Sequence, residues 1–237
     1  MSNAVYASLA RQQGLMQELQ LVANNIANAS TTGYKSDRAI FAEMVVGTGA
    51  ETPSLSMGNL AAHAFQLEQG ALDMTGATFD LAIQGEGFFA VETPAGQRLT
   101  RAGHFMRSAD SQLVDPQGNA VLGAGGNPIT IPEDAAAVSI AADGTLSVDG
   151  ELIDQIGVFV AQGQLRRDSN TYFEAPEGTV PAELPNVVQG ALEKSNVSPV
   201  LEVARMIDVQ RAYEAGQALL EREDQRITQL IQSLRNQ

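Results

Sequence analysis

The chain has 237 residues, 44% of them hydrophobic, which is enough for the core of one or two globular domains. It contains no cysteine, so disulfides, thiolate nucleophiles and cysteine-ligated metals are excluded. The formal net charge of −14 argues against nucleic acid as a partner, because phosphate contacts need Lys and Arg.

Residues 4–28 are predicted to form the first helix. Its seam positions recur at the alternating spacing of a coiled coil, and six of the seven are apolar. These positions are Val5, Leu9, Gln12, Met16, Leu19, Ala23 and Ile26. Gly33, after the Ser30-Thr31-Thr32 cluster, ends the helix. Residues 47–75 begin with a stretch rich in Gly, Ser, Thr and Pro that has no clear period, and we predict an irregular linker there.

The middle of the chain, residues 76–190, is predicted to be a β-rich domain. Residues 81–91 indicate a strand pair or one long bent strand, with Gly85 and Gly87 at the bend. Turn or hairpin signals follow at Pro94-Ala95-Gly96, Asp115-Pro116-Gln117-Gly118, Asp143-Gly144 and Asp149-Gly150. Short strands between such turns favour an antiparallel barrel or sandwich. Strands and helices do not alternate as they do in a parallel nucleotide-binding sheet.

A second, longer helix is predicted from Ser198, its N-cap, to about Asn236. Pro199 takes the first helical position, and Glu202 lies in the first turn. The seam consists of Val203, Met206, Gln210, Tyr213, Gln217, Leu220, Asp224, Ile227, Ile231 and Leu234. A lone helix with so narrow an apolar seam is marginal in water, so this helix needs partners.

Charge is distributed unevenly along the chain. Residues 1–46 carry 3 basic and 3 acidic side chains, residues 191–237 carry 6 and 7, and residues 47–190 carry 5 and 18. Nearly neutral ends suit segments that pack against one another, because like charge would oppose assembly. We therefore predict an α+β fold. Residues 1–46 and 191–237 would form one coiled-coil-like helical domain for polymerisation, and the central domain would be antiparallel β.

Candidate catalytic residues are few. His63 and His104 have no His or Cys at metal-ligand spacing, and Gly85-Glu86-Gly87 lacks the third glycine and the helix of a dinucleotide loop. The acidic residues that could pair as acid and base are Glu86, Asp110, Asp115, Asp143 and Asp149. Most of them stand at turns, where Asp is favoured by local hydrogen bonding. We predict no catalytic, metal or cofactor site, no cofactor and no small-molecule substrate.

No run approaches the roughly 20 consecutive apolar residues of a membrane span. Residues 1–10 have neither the basic nor the long apolar region of a Sec-type signal peptide. The sequence therefore predicts a cytoplasmic protein or one exported without a cleaved apolar signal. The absence of cysteine suits export in an unfolded state into an oxidising compartment.

Three blocks of sequence resemble the flagellar rod and hook family of axial proteins. The N-terminal block is Ala23-Asn24-Asn25-Ile26-Ala27-Asn28 with Thr31-Thr32-Gly33-Tyr34-Lys35. The central block runs from Gln69-Gly70 through Asp80-Leu81-Ala82-Ile83-Gln84-Gly85-Glu86-Gly87-Phe88-Phe89 and Thr100-Arg101-Ala102-Gly103 to Val121-Leu122-Gly123. The C-terminal block is Gln189-Gly190-Ala191-Leu192-Glu193-Lys194-Ser195-Asn196-Val197 with Met206-Ile207 and Gln210-Arg211-Ala212-Tyr213-Glu214. The blocks occur in the family's order and touch most of the chain.

The resemblance implies a non-enzymatic subunit of the flagellar basal-body rod. Both termini would form one helical domain near the rod axis, with the β-domain outside it. It implies type III export into the periplasmic space, with the export apparatus and other rod subunits as partners. The chain is short for a hook protein. The compact segment after Lys35 and the start Asn3-Ala4-Val5-Tyr6 most resemble proximal-rod members, with distal-rod members as the alternative.

The residues predicted to contact neighbouring subunits lie on the two seams and in the asparagine signature. They are Val5, Leu9, Met16, Leu19, Ala23, Asn24, Asn25, Ile26, Asn28, Val203, Met206, Tyr213, Leu220, Ile227, Ile231 and Leu234. Two other classes stay open: a secreted β-protein or adhesin with a helical stalk, and an acidic hydrolase that uses paired carboxylates.

Overall fold

The computed structural model describes residues 3–46 and 55–235. The elements in chain order are α1 (Asn3–Ala27), β1 (Asp37–Val46), β2 (Leu55–Phe65), β3 (Leu72–Met74), β4 (Leu81–Ile83), β5 (Phe88–Thr93), β6 (Gly96–Thr100), β7 (Met106–Arg107), β8 (Leu113–Val114), β9 (Ala120–Val121), β10 (Val138–Ile140), β11 (Thr145–Val148), β12 (Glu151–Gln155), β13 (Val158–Ala161), β14 (Arg166–Arg167), β15 (Tyr172–Glu174), β16 (Thr179–Pro181), β17 (Val187–Gln189), β18 (Ala191–Glu193) and α2 (Pro199–Arg235). The predicted α+β class and both predicted helices are confirmed. Among the described residues, neither helix is long and apolar enough to cross a membrane.

The first of two compact units contains α1, the β1–β2 hairpin and α2. The helices run antiparallel, because Glu18 of α1 pairs with Arg205 of α2 at 2.8 Å, whereas the earlier Gln12 lies beside the later Gly216. Val22 of α1 is buried in this unit. Helix pairing within one chain is therefore part of the fold.

Residues 55–65 form β2, which corrects the irregular linker predicted for residues 47–75. β2 pairs antiparallel with β1, from Asp37 opposite Phe65 to Val46 opposite Leu55, with a shift in register after Ile40. Backbone hydrogen bonds to β1 hold this strand, and they need no alternation of apolar and polar side chains. The remaining predicted linker residues 47–54 lie outside the described residues.

The second unit contains residues 28–35 and 67–197. Its main sheet has nine strands, in the order β14-β15-β6-β5-β9-β8-β7, with β13 pairing to β5 and β16 to β13. A three-stranded sheet, β10-β11-β12, and the pairs β17-β4 and β18-β3 complete the unit. All of these pairs are antiparallel, as the turn pattern predicts.

The predicted turns are confirmed between β5 and β6, between β8 and β9, and at both ends of β11. Asp149 and Gly150 have φ values of 52° and 86°, the left-handed pair that a tight hairpin turn requires. Residues 81–91 form two strands, β4 and β5, which belong to different sheets. The buried core of this unit is Leu81, Ile83, Phe89, Val91, Phe105, Leu113, Val121, Ile129, Ile131, Ile140, Leu146, Val148, Ile156, Val158 and Val187.

Candidate functional site

Three charged side chains meet inside the β-rich unit. Lys35 Nζ lies 2.6 Å from Glu193 Oε1, and Arg101 Nη1 lies 3.0 Å from Glu193 Oε2. The side chains of Lys35, Arg101 and Glu193 are 1%, 4% and 0% exposed. Each comes from a different one of the three sequence blocks described above. The blocks that are separate in sequence therefore converge on one ionic cluster.

The Glu193 carboxylate is fully engaged in this cluster. Its Oε1 also accepts a hydrogen bond from the Gly70 N–H at 2.9 Å, and Lys35 Nζ donates to the Glu68 carbonyl at 2.7 Å. Burial lowers the pKa of Lys35 and that of Arg101, and the hydrogen bonds and charge of Glu193 oppose both shifts. Two cations thus share one buried carboxylate.

Gly33 brings Lys35 into the cluster. Its φ of +68° turns the chain after α1, and its N–H donates to the Glu193 carbonyl at 2.7 Å. A Cβ on this residue would stand 2.2 Å from the Ala102 backbone nitrogen. Only glycine fits here, both for the left-handed conformation and for the close approach. The Thr31–Lys35 stretch is therefore a docked segment and not only a helix terminus.

Arg101 also holds the turn between β4 and β5. Its Nη1 donates to the Ile83 carbonyl at 3.3 Å, and its Nη2 donates to the Gly85 carbonyl. The guanidinium lies 5.3 Å from the centre of the Phe88 ring. The Gly85-Glu86-Gly87 stretch is thus a turn whose backbone accepts a hydrogen bond from Arg101. This structural role explains the two glycines without a nucleotide-binding function.

A second arginine packs on the residue before Lys35. The Arg167 guanidinium lies 4.7 Å from the Tyr34 ring centre and 4.9 Å from that of Phe173. Its Nη2 donates to the Lys35 carbonyl. The β14–β15 hairpin therefore clamps the docked segment from another side, through cation–π contacts that burial strengthens.

The signature asparagines are engaged within the chain. Asn25 is 1% exposed and forms hydrogen bonds with the backbone of Asp37. Its Nδ2 also lies 3.3 Å from a carboxylate oxygen of Glu202 in α2. Asn28 is buried and accepts a hydrogen bond from the Thr31 hydroxyl at 3.2 Å. Asn24 is exposed.

The predicted seam of α1 is only partly turned toward α2: Gln12 lies beside Gly216, whereas Leu9 and Met16 lie farther round the helix. Polar contacts with α2 are made by Glu18 and Asn25, on the face of α1 that also carries the buried Val22. At about 100° per residue, this face is rotated roughly a third of a turn from the seam. Leu9 and Met16 of the seam are 50% and 48% exposed. An apolar stripe of α1 is therefore uncovered in the single chain.

The last turns of α2 extend past the start of α1. Gln12 lies beside Gly216, so at an equal rise per residue Asn3 stands opposite about residue 225. Ile227, Ile231 and Leu234 lie beyond that point and are exposed, Leu234 by 74%. By helical periodicity they continue the face of α2 that packs on α1. Within residues 3–46 and 55–235, no helix covers this apolar face.

The predicted contact residues fall into three groups by burial. The exposed ones are Leu9, Met16, Ala23, Asn24, Val203, Ile227, Ile231 and Leu234. The half-buried ones are Leu19, Ile26, Met206, Tyr213 and Leu220, and the buried ones are Asn25 and Asn28. Val5 lies in a part of α1 whose side chains the structure does not describe. The exposed group supplies the surface that a neighbour could cover.

The acidic residues considered for catalysis are turn residues in the structure. Asp115 accepts from the Gln117 and Asn119 N–H groups, both at 2.9 Å, and Asp149 accepts from the Ala137 N–H at 2.8 Å. The Thr145 N–H donates to exposed Asp143, and this lowers the pKa of that carboxyl. Glu86 and Asp110 are exposed.

A cleft of about 410 Å³ has Asp115 as the one carboxylate among its lining residues, beside His104 and Tyr172. The Tyr172 hydroxyl donates to that carboxylate. His104 Nδ1 lies 2.6 Å from Asp80. The paired carboxylates of an acidic hydrolase are therefore not assembled in this cleft. The side chain of His63 lies outside the described ones, and the described residues hold no group of three or more potential metal ligands.

The ionic cluster was not predicted from the sequence. A charged residue in each of the three blocks was the signal present in the sequence, and it does not say which charges meet. The partnership between them depends on strand pairing, since β18 must pair with β3 to bring Glu193 beside Gly70 and Lys35.

Three protein-family models match the chain. Residues 6–35 match "Flagella basal body rod protein", residues 82–148 match the D1 domain of the flagellar hook protein FlgE/F/G, and residues 188–233 match the C-terminal region of the flagellar basal-body rod FlgEFG proteins. Lys35, Arg101 and Glu193 fall one in each matched region. The ionic cluster therefore joins all three.

Full-length relatives agree with these matches. The flagellar basal-body rod protein FlgF of Mesorhizobium japonicum is 36% identical over 93% of this chain and 92% of its own length. FlgF of Caulobacter vibrioides is 35% identical over 91% of each chain. The rod protein FlgG of Bacillus subtilis is 30% identical over 98% of each chain. The chain therefore belongs to the family of flagellar basal-body rod proteins, which are structural proteins and not enzymes.

Proposed function

We propose that this chain is a subunit of the proximal flagellar rod and polymerises through terminal segments within residues 1–46 and 191–237. Similarity to two FlgF proteins at 35% identity or more supports the proximal rod. A distal-rod, FlgG-like subunit is the second candidate, because one FlgG protein is 30% identical over 98% of both chains. Either role makes the chain part of the shaft that transmits torque.

The observation that carries the proposal is the unmatched length of α2. α1 has 25 residues and α2 has 37, so α2 exceeds its partner in the same chain by about three turns. Ile227, Ile231 and Leu234 continue the packed face of α2 over that excess. A helix from a neighbouring subunit would bury these side chains in a coiled-coil-like contact, as α1 does for the preceding turns.

The exposed stripe of α1 offers a second, different surface. Leu9 and Met16 are half exposed and lie farther round the helix from α2 than Gln12 does. A contact between two unlike surfaces is heterologous, and repeated heterologous contacts build an open helical stack. A rod needs two unlike surfaces on each subunit. A closed two-fold dimer uses the same surface on both subunits.

Export and surface charge complete the proposal. The chain would reach the periplasm through the flagellar type III apparatus and order its helical ends as subunits stack, so that burial of apolar seams offsets the ordering entropy. The acidic side chains of residues 47–190 would face outward and limit lateral association. Replacing many of them with neutral residues should impair motility or solubility. If both stayed unchanged, the role proposed for the acidic surface would be rejected.

The assembly proposal can be tested with two matched triple variants in cells that lack their own copy. One variant carries Ile227→Asp, Ile231→Asp and Leu234→Asp. The control carries Gln225→Asp, Gln229→Asp and Gln232→Asp, which adds the same charge to exposed positions on the other side of the helix. Swimming, export of the chain and the protein composition of isolated basal bodies are measured.

We expect the control to swim and the first variant to be exported without completing its rod. Buried charge without a partner strongly opposes helix contact. Complete rods in the first variant would overturn the assembly proposal. A discrete trimer of the wild-type chain, together with normal motility in its absence, would favour the adhesin alternative.

A further inference from the structure

The ionic cluster has an unequal number of charges. Lys35 and Arg101 are both buried, and Glu193 is the carboxylate that each of them contacts in the described part of the chain. Glu86 acts on Arg101 only through space and is itself exposed. Removal of Glu193 would leave two buried cations without a counter-ion. Removal of Lys35 would leave one balanced pair.

The three charges come from distant parts of the chain. Glu193 is 158 residues from Lys35 and 92 residues from Arg101. It lies in β18, just before α2, whereas Lys35 follows α1. The anion that neutralises the cluster therefore belongs to the last part of the β-rich unit in chain order.

The same part of the chain supplies the backbone partners of the docked segment. The Glu193 carbonyl accepts the Gly33 N–H at 2.7 Å, and the Asn196 N–H donates to the Tyr34 carbonyl at 3.4 Å. The segment 28–35 and the segment 191–197 are thus held side by side within the β-rich unit. Without the segment 191–197, the segment 28–35 would lose these two backbone hydrogen bonds and the ion pair of Lys35 with Glu193.

We propose that Glu193 is an electrostatic latch, so that the segment 28–35 docks on the β-rich unit only after the segment 191–197 has folded and brought Glu193 into place. Before Glu193 arrives, docking would bury Lys35 beside Arg101, and two unpaired cations in a dry site repel each other. Once Glu193 is present, it neutralises Arg101, and docking adds the ion pair between Lys35 and Glu193. The segment 28–35, which follows α1, and the segment 191–197, which precedes α2, therefore become ordered together. This inference does not depend on the proposed assembly.

The first test is hydrogen–deuterium exchange on the purified full-length chain. In Glu193→Gln we expect peptides that cover residues 29–35 to exchange at least tenfold faster, while peptides of the core strand β5 keep their protection. Asp73→Asn is the matched control, because it removes the exposed Lys194–Asp73 pair beside the cluster. The control should exchange as the wild type does.

A second variant separates a latch from a simple salt bridge. Lys35→Met leaves the balanced pair of Arg101 and Glu193, so the segment should stay protected to within about threefold. A simple bridge between Lys35 and Glu193 would make Lys35→Met as damaging as Glu193→Gln. That result, or wild-type protection in Glu193→Gln, would overturn the proposal. If Glu193→Gln does not fold, the behaviour of Lys35→Met still decides.

The order of folding provides an independent readout. In pulse-labelled refolding of the wild-type chain, peptides covering 29–35 and 191–197 should gain protection in the same kinetic phase. Earlier protection of residues 29–35 would show that docking does not wait for Glu193, and the latch would be rejected.

Discussion

The Asn25 side chain is hydrogen-bonded to both backbone groups of Asp37. Its Nδ2 donates to the Asp37 carbonyl at 2.9 Å, and its Oδ1 accepts from the Asp37 N–H at 3.0 Å. The amide of a helical residue thus bonds the backbone at the first residue of β1, whose strand partner in β2 is Phe65. This contact fastens the hairpin to α1 within the helical unit.

Replacement of Asn25 should therefore destabilise the helical unit. Asn25→Ala leaves both backbone groups of Asp37 without these bonds, and we expect a loss of about 2 kcal/mol in the free energy of unfolding. Urea unfolding followed by circular dichroism at a helix-sensitive wavelength measures it. Gln20→Ala, an exposed site on the same helix, is the control and should change stability by less than about 0.5 kcal/mol. Equal effects of the two variants would contradict the role of Asn25.

Gly33 should tolerate no side chain. Gly33→Ala would place a methyl group 2.2 Å from the Ala102 nitrogen at a positive φ, and we expect a loss of about 3 kcal/mol or more. Gly118→Ala is the control, since Gly118 has a φ of +86° but open space around its Cβ, and should cost about 1 kcal/mol. Thermal unfolding of both variants compares the collision with the backbone strain alone. Similar losses would show that the close approach is unimportant.

Tyr172 should remain protonated at high pH. Burial and the neighbouring Asp115 carboxylate raise the pKa of its phenol above the usual value. Tyr172→Phe should therefore remove a late step from the ultraviolet titration of the folded chain.

The same shift predicts a loss of stability in alkali. Because the phenol loses its proton more easily in the unfolded chain, this contribution is complete below about pH 10 and declines as pH rises beyond it. The unfolding midpoint of the wild type should therefore fall more steeply above pH 10 than that of Tyr172→Phe. Parallel curves for the two proteins would contradict the assignment.

The two faces of α1 should respond differently to charge. Leu9→Glu with Met16→Glu alters exposed positions, so the folded monomer should lose less than about 0.5 kcal/mol of stability while motility is lost. Val22→Glu places a charge where the side chain is 2% exposed and should unfold the helical unit. Circular dichroism of the purified chains and swimming assays test both. A swimming Leu9→Glu, Met16→Glu strain would show that this stripe is not an assembly surface.

Local patterns of the chain were sufficient to predict several features. Ser198 and Pro199 begin α2 as expected, and Asp149-Gly150 makes the expected hairpin, because caps and tight turns depend on neighbours in sequence. The β2 strand was missed, since its backbone bonds come from β1 and it adjoins a stretch rich in Gly, Ser, Thr and Pro. The burial of Asn25 was also missed, because an asparagine near a helix end is usually exposed.

The sequence by itself determined the two terminal helices, the antiparallel β-rich middle and, through three motifs, the family. Those features depend on hydrophobic periodicity, turn residues and residue identity within short stretches of sequence. Only the tertiary structure decided that Lys35, Arg101 and Glu193 form one buried cluster, and that the apolar stripes of α1 and α2 are partly uncovered. Pairing over 158 residues and the register of two helices depend on how strands and helices pack, which no local pattern specifies.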